Sequence, residues 1–386
     1  MRTTTTLMTM ILVMACSSPA RNQQKPEGTD SIRPGAWSIN EYLPLLKDKK
    51  TGLVVNHTSK IDNTHLLDTL RNLGISIPKV FTPEHGLKGT ADAGEHVKSE
   101  QKETFRVISL FGKKRKPDLE DLNGLEIIVF DIQDVGVRFY TYISTMHYMM
   151  EAAAKKGIPF IVLDRPNPNG RYVDGPILKE KYRSFVGLHP IPTVHGLTVG
   201  ELAKMINGEG WLADGLSVDL TVIPVENWTH NDPYKLPVQP SPNLPNSQSI
   251  RLYPSLCLFE GTIMSVGRGT VAPFQQVGHP DYPYQDYAFT PVSMQGAKSP
   301  KYENQKCFGV NYVQSDIEGF DITPLIDIYN AMGEPEDFFN DYFKLLSGDL
   351  DEQVKKGLSE AEISASWQKD ITAFKRIRKK YLLYPE

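Results

Sequence analysis

The sequence predicts an α/β protein: a Rossmann-like, doubly wound parallel sheet followed by a second, smaller α+β domain. Three observations predict it. Short apolar runs such as Thr51-Gly52-Leu53-Val54-Val55 and Ile127-Ile128-Val129-Phe130 alternate with longer helical patterns, which is the rhythm of βα units. These runs lack the apolar/polar alternation of a half-exposed strand, so both faces of the sheet must be covered. From Lys235 to about Pro300 that rhythm gives way to proline, glycine and aromatic residues, which marks a different architecture.

The elements follow in chain order. Arg2, an apolar stretch from Leu7 to Met14 and Ala15 before Cys16 form a lipoprotein signal over residues 1–15. The stretch is too short for a membrane span. Cys16 is therefore expected to become the first mature residue and to carry a lipid, the chain's one membrane contact. Residues 16–33 are rich in Ser, Pro, Gln, Asn and Lys and read as a solvated tether. The first domain is placed at 34–235 and the second at 236–386. Strands are expected at 51–55, 79–82, 107–110, 126–131, 159–164 and 218–225, with helices at 62–73 and 141–156. Gly74 and Gly157 sit where those helices should end. Thr198 with Glu201 three residues on predicts a capped helix over 198–206. Helical patterns at 323–332, 337–346 and 361–380 close the chain.

Composition excludes several functions. A net charge of −4 argues against nucleic acid and against a polybasic membrane contact. With Cys16 assigned to lipid, Cys257 in an apolar run reads as a buried thiol rather than a disulfide partner. Zinc-ligand spacing is missing, so no metal is expected. Asn56-His57-Thr58-Ser59 follows the first strand where a glycine-rich phosphate loop would stand, so no nucleotide cofactor is expected either. No Gly-x-Ser-x-Gly elbow and no cysteine–histidine neighbourhood marks an esterase or amidase.

In open α/β sheets ligands bind at the carboxyl ends of the strands, and polar groups crowd there. The second expected strand leads into Thr82-Pro83-Glu84-His85-Gly86. The fourth leads into Asp131-Ile132-Gln133-Asp134-Val135-Gly136-Val137-Arg138-Phe139-Tyr140-Thr141-Tyr142, and the fifth into Asp164-Arg165-Pro166-Asn167. Each group also has a plain reading. Glu84 and His85 fit turn residues, Asp131 and Asp134 fit helix-capping carboxylates, Asp164 and Arg165 fit a local pair, and His195 before Gly196 fits a satisfied core histidine. Their convergence from consecutive strands favours one cleft.

These strings, with Pro192-Thr193-Val194-His195-Gly196-Leu197-Thr198, Pro240-Ser241-Pro242-Asn243-Leu244-Pro245, Phe259-Glu260-Gly261-Thr262 and Ser265-Val266-Gly267-Arg268-Gly269-Thr270, run in order along the chain. They resemble the NamZ-type exo-β-N-acetylmuramidases, glycoside hydrolases once known only as a domain of unknown function. The resemblance runs from about Gly52 to near the C-terminus. It implies an exo-acting glycosidase that removes N-acetylmuramic acid from the non-reducing end of peptidoglycan fragments. It also implies a cleft between a Rossmann-like domain and a smaller one, and no cofactor. The substrate would lie in the cell envelope, where a lipid-anchored protein faces the periplasm or the exterior.

Glycoside hydrolysis needs a carboxylic acid for the leaving oxygen and a second group that attacks, activates water or steadies the transition state. Carried onto this chain, the resemblance makes Glu84 the acid, with His85 orienting it or touching the sugar. Asp131 and Asp134 are the second group or bind hydroxyls. Attack by the substrate's own 2-acetamido oxygen fits the same residues. The lactyl carboxylate of muramic acid calls for an arginine: Arg138, Arg268 or Arg165. Tyr140, Tyr142 and Phe259 suit stacking on the sugar. His195, Asn243, Glu260, Gln275, Gln276 and His279 complete the expected substrate-binding set. The competing expectation is a lipoprotein that binds cell-wall sugars without cleaving them.

Overall fold

Parallel strands with no polar alternation need helices on both faces, and that is the architecture found. The computed structural model describes residues 31–92, 95, 99–102 and 104–386. Cys16 and the tether up to Asp30 lie outside the described residues. The chain from Ile32 to Glu386 is a single unit.

The strands in order are β1 (Thr51–Val55), β2 (Lys60–Ile61), β3 (Thr64–His65), β4 (Lys79–Thr82), β5 (Glu100–Gln101), β6 (Arg106–Ser109), β7 (Ile127–Asp131), β8 (Phe160–Leu163) and β9 (Leu220–Ile223). Seven form one sheet in the order β5-β6-β4-β1-β7-β8-β9, parallel except for β5 at the edge. Side chains alternate between two cores. Leu53, Val55, Val80, Ile127, Val129 and Ile161 pack on α1 (Ile39–Leu46) and α2 (Leu66–Asn72). Val54, Phe81, Ile128, Phe130, Phe160 and Val162 face α3 (Tyr142–Lys156) and α4 (Val199–Gly208). The chain leaves β1 toward β4 on one side and reaches β7 on the other, so the carboxyl ends of β1 and β7 flank the crevice where such sheets hold ligands.

Local chemistry sets the boundaries. Gly157 takes a left-handed φ of 65° and ends α3. Thr198 and Glu201 form the expected reciprocal cap of α4. The helix expected over 62–73 begins late, because Asp62, at a positive φ of 51°, turns a β2–β3 hairpin before α2. Turn-forming Asp62-Asn63 outweighs the helical period there. His65 then caps α2 by accepting from Leu67 N at 3.1 Å.

A second lobe follows. Helix α5 (Ser247–Leu256) leads to the antiparallel sheet of β10 (Gln276–His279), β11 (Ala288–Phe289) and β12 (Cys307–Asn311), ordered β10-β12-β11. The chain then forms α6 (Thr323–Ala331), α7 (Asp341–Ser347), α8 (Leu350–Lys355) and α9 (Glu360–Arg378). Both Cys257 and Cys307 are buried free thiols.

Helix α9 and the tail return to the first lobe. Trp367 Nε1 donates to Asp174 at 2.8 Å, and Arg378 donates to the Gly196 carbonyl at 2.6 and 3.2 Å. The Tyr384 hydroxyl donates to Asp164 Oδ2 at 2.5 Å and accepts from Val225 N at 2.9 Å. Asp164 is fully buried and its carboxyl is pushed up to about 6 by that burial. Tyr384→Phe removes one donor and one acceptor from this buried network. Its unfolding free energy is expected to fall by about 1–3 kcal/mol in denaturant titrations, and an unchanged midpoint would show that the Tyr384 hydroxyl contributes nothing.

Candidate active site

A cavity of about 340 Å³ opens between the turn after β4, the segment after β7 and the second lobe. Glu84 stands on the turn after β4, where Gly86 N donates to Pro83 O at 3.1 Å and His85 takes a positive φ of 69°. A non-glycine residue in that region is uncommon, and with this backbone both Glu84 and His85 line the cavity. Glu84 Oε2 accepts from the Thr141 hydroxyl at 3.1 Å. His85 donates through Nδ1 to the Ala91 carbonyl at 2.6 Å. The carbonyl can only accept, so the neutral ring carries its proton on Nδ1 and leaves Nε2 as an acceptor. Burial lowers the His85 pKa, and the Glu84 charge partly opposes this.

The bed of the cavity is aromatic. Tyr140 and Tyr142 meet edge to face with centroids 4.7 Å apart, and both hydroxyls donate to the Pro240 carbonyl, at 2.9 and 3.2 Å. Tyr253, from α5, packs edge-on against Tyr140. On the second-lobe wall, Arg268 Nε and Nη2 each donate to a Glu260 oxygen at 3.0 Å. The guanidinium lies 4.9 Å from the centre of the Phe274 ring. Burial works against the charged form of Arg268, but Glu260 outweighs it and raises the pKa. Asn243 lines the cavity and donates to Gly296 O at 2.8 Å.

Of the expected site residues, the cavity brings together Glu84, His85, Tyr140, Tyr142, Asn243, Glu260 and Arg268. The others lie outside its lining. Asp131 is fully buried and bound by Arg165, Nε to Oδ1 at 2.5 Å and Nη2 to Oδ2 at 2.9 Å. Arg138 is 1% exposed, and its guanidinium donates to the carbonyls of Pro176, Ile191 and Leu346, each at 2.7 Å. His195 is buried, accepts from Leu197 N at 3.2 Å, and has its pKa lowered to about 3 by burial. Gln275 is buried, and Gln276 is held between Thr270 and Tyr287. His279 accepts from Asp281 N at 3.0 Å and packs on Tyr302. Phe259 is fully buried in the core.

Sequence reasoning missed Thr141, Tyr253, Phe274, Tyr342 and Arg115, all in the lining. The aromatic residues carry no local signature. Arg115 had one, the basic run Lys113-Lys114-Arg115-Lys116 just after β6.

Aromatic rings beneath a small cavity and a carboxyl at its edge are what a glycosidase needs to seat a sugar and protonate its leaving oxygen, and this is the class that the fold and site define. The chain belongs to the exo-β-N-acetylmuramidase NamZ family, whose N-terminal domain matches residues 51–248 and whose C-terminal domain matches residues 251–384. It is 38% identical to the peptidoglycan β-N-acetylmuramidase NamZ of Bacillus subtilis strain 168, over 97% of this chain and 96% of that protein. Two crystal structures of DUF1343 family proteins from Bacteroides fragilis are similar. One is 44% identical with a TM-score of 0.85, covering 92% of this chain and 100% of the other. The second is 28% identical with a TM-score of 0.77, covering 92% and 99%.

Asp134 yields a pH prediction. Its Oδ2 accepts from Gly136 N at 2.6 Å, yet burial dominates and pushes the carboxyl up to about 7. The folded state therefore holds a proton that the unfolded chain releases near pH 4. The stability tied to that proton is fully present below about pH 4 and is lost as pH rises through about 7. Asp134→Asn, whose amide oxygen still accepts from Gly136, is expected to match the wild type near pH 4. It should gain on it by up to about 4 kcal/mol by pH 8 in denaturant titrations. A difference that does not vary with pH would refute this.

Proposed function

We propose that this protein releases N-acetylmuramic acid from the non-reducing end of peptidoglycan fragments, with Glu84 as the proton donor. The observation that carries the reading is the placement of Glu84 in the lining of the aromatic cavity, which also holds a second carboxylate, Glu260, that is committed to Arg268 through both oxygens. Glu84 gives its proton to the glycosidic oxygen as the bond to the anomeric carbon breaks. The next sugar leaves with a free hydroxyl, and water adds at the anomeric carbon.

For the attacking group, Glu260 is neutralised and Asp131 and Asp134 lie outside the lining. This supports assistance by the substrate's 2-acetamido oxygen, which closes on the anomeric carbon before water opens the ring so formed. The Thr141 hydroxyl steadies Glu84 as it becomes a carboxylate. Exo action is supported by the cavity's size, at the lower end of the roughly 300–1,000 Å³ typical of small-ligand sites, which suits one terminal unit better than the middle of a glycan. The activity of the Bacillus subtilis relative on peptidoglycan supports the substrate class.

The lipid tether belongs to the same reading. Supporting it is the run Leu12-Val13-Met14-Ala15-Cys16, which would place the cavity in the envelope beside its substrate.

The test is hydrolysis of a 4-nitrophenyl β-glycoside of N-acetylmuramic acid by the wild type and Glu84→Gln. Loss of a general acid removes about 100- to 10,000-fold of rate, so the variant is expected to fold normally and lose at least about 100-fold in kcat. Near-normal turnover by Glu84→Gln would overturn the acid assignment. Binding of the sugar by a wild type that cleaves no muramic acid glycoside would favour a non-catalytic cell-wall-sugar-binding lipoprotein.

A further inference from the structure

Muramic acid differs from N-acetylglucosamine by a lactyl ether with a free carboxylate, so an enzyme that prefers it needs a cation whose charge is not already spent. The arginines that sequence alone brings forward are all committed. Arg138 is divided among three carbonyls, Arg165 holds Asp131, and Arg268 grips Glu260. Nor, among the described residues, do the lysines beside Arg268 supply one. Lys298 is paired with Glu95 at 2.6 Å, and Lys301 donates to the carbonyls of Thr262 and Met264.

Arg115 is different. It lines the cavity on the first-lobe side, is exposed, and forms no ion pair among the described residues. Its neighbours in the basic run are taken up elsewhere: Lys114 by Asp118 and Asp121, Lys116 over the Tyr148 ring at 4.2 Å. Arg115 itself lies over the Phe185 ring, 4.9 Å from its centre, and Phe185 in turn packs on Phe111 with centroids 6.1 Å apart. Such a platform restrains the side chain before a ligand arrives, so less rotamer freedom is lost when a carboxylate binds.

Charge in the lining points the same way. Arg268 and Glu260 cancel, and burial favours neutral His85. Among the described residues, the guanidinium of the lining that has no ion-pair partner is that of Arg115. We infer that Arg115 is the specificity-determining residue that binds the lactyl carboxylate of the terminal muramic acid, while the neutral Arg268–Glu260 pair binds hydroxyl groups. This assignment rests on the muramidase reading above.

The experiment compares kcat/KM for three 4-nitrophenyl β-glycosides: N-acetylmuramic acid, its lactyl methyl ester, and N-acetylglucosamine. Enzymes are the wild type, Arg115→Ala, Arg115→Lys and Arg268→Ala. The wild type is expected to prefer the free acid to its ester. Arg115→Ala should shrink that acid-to-ester ratio by roughly 10- to 100-fold, the worth of one charge-assisted pair, chiefly through KM, and Arg115→Lys should restore part of it. Arg268→Ala should slow all three substrates without removing the ratio. A ratio unchanged in Arg115→Ala, or lost in Arg268→Ala instead, overturns this assignment and leaves the muramidase reading standing. A wild type that cleaves none of the three glycosides overturns both.

Discussion

Arg138 carries its charge inside the protein on three carbonyl oxygens, with no carboxylate partner within ion-pair distance among the described residues. Burial pulls its pKa down to about 9, which measures how unwelcome a lone guanidinium is at 1% exposure. Two of the carbonyls, Pro176 and Ile191, lie between β8 and α4, and the third, Leu346, is on α7. One side chain therefore ties the first lobe to a helix of the second. The same segment continues into Tyr140, Thr141 and Tyr142, which form the bed of the cavity, and Leu346 is part of its wall. The cavity's floor and one wall are thus joined through a single planar group whose fixed donor directions allow little freedom.

Around that joint, charge is removed from the strand ends so that little of it reaches the cavity. Asp131 is held by Arg165. Asp164 is held by Thr198 and Tyr384, and Asp134 rests on the backbone of Gly136. Buried carboxyls left without any partner would be costly, and each of these is bonded through at least one oxygen, while Asp134 Oδ1 has no hydrogen-bond partner among the described residues. Under the proposed function the chemistry falls instead to the turn after β4, where His85 at a positive φ and the Pro83–Gly86 turn place Glu84 in the cavity lining. A carboxyl on such a turn can approach a ligand that residues within a strand cannot reach. The tail's return to Asp164 and Gly196 then holds the far end of the chain on the lobe that carries this turn.

Much of the fold was legible because the alternation that feeds two cores leaves a continuous apolar run in the sequence, as in β1, β7 and β8. Caps such as Thr198–Glu201 were legible because both partners lie within four residues. The interactions that tie the two lobes and the tail together join residues far apart in the chain and leave no such mark. Nothing near Arg138 foretells Leu346, and nothing near Asp164 foretells Tyr384. For the same reason Asp131 and Arg165, each a plausible ligand by its place at a strand end, turn out to satisfy one another. Glu84 and Arg268 could be singled out because turn and glycine residues next to them imply a shaped surface, whereas Tyr140 entered as a ring that suits stacking on a sugar. Arg115 lies in a lysine-rich run, and what distinguishes it from its neighbours is its place in the cavity lining, which no local pattern of the run shows.

Under the proposed function, one terminal muramic acid unit occupies the cavity with its glycosidic bond at Glu84. A crystal structure of the protein with the uncleavable thio-linked disaccharide of N-acetylmuramic acid and N-acetylglucosamine tests it most directly. The muramic acid ring is expected over Tyr140 and Tyr142, with the bridging sulfur within hydrogen-bonding reach of Glu84 and the second sugar outside. A disaccharide bound with its bridging sulfur at Asp131 or Asp134, or with its reducing end in the cavity, would contradict it.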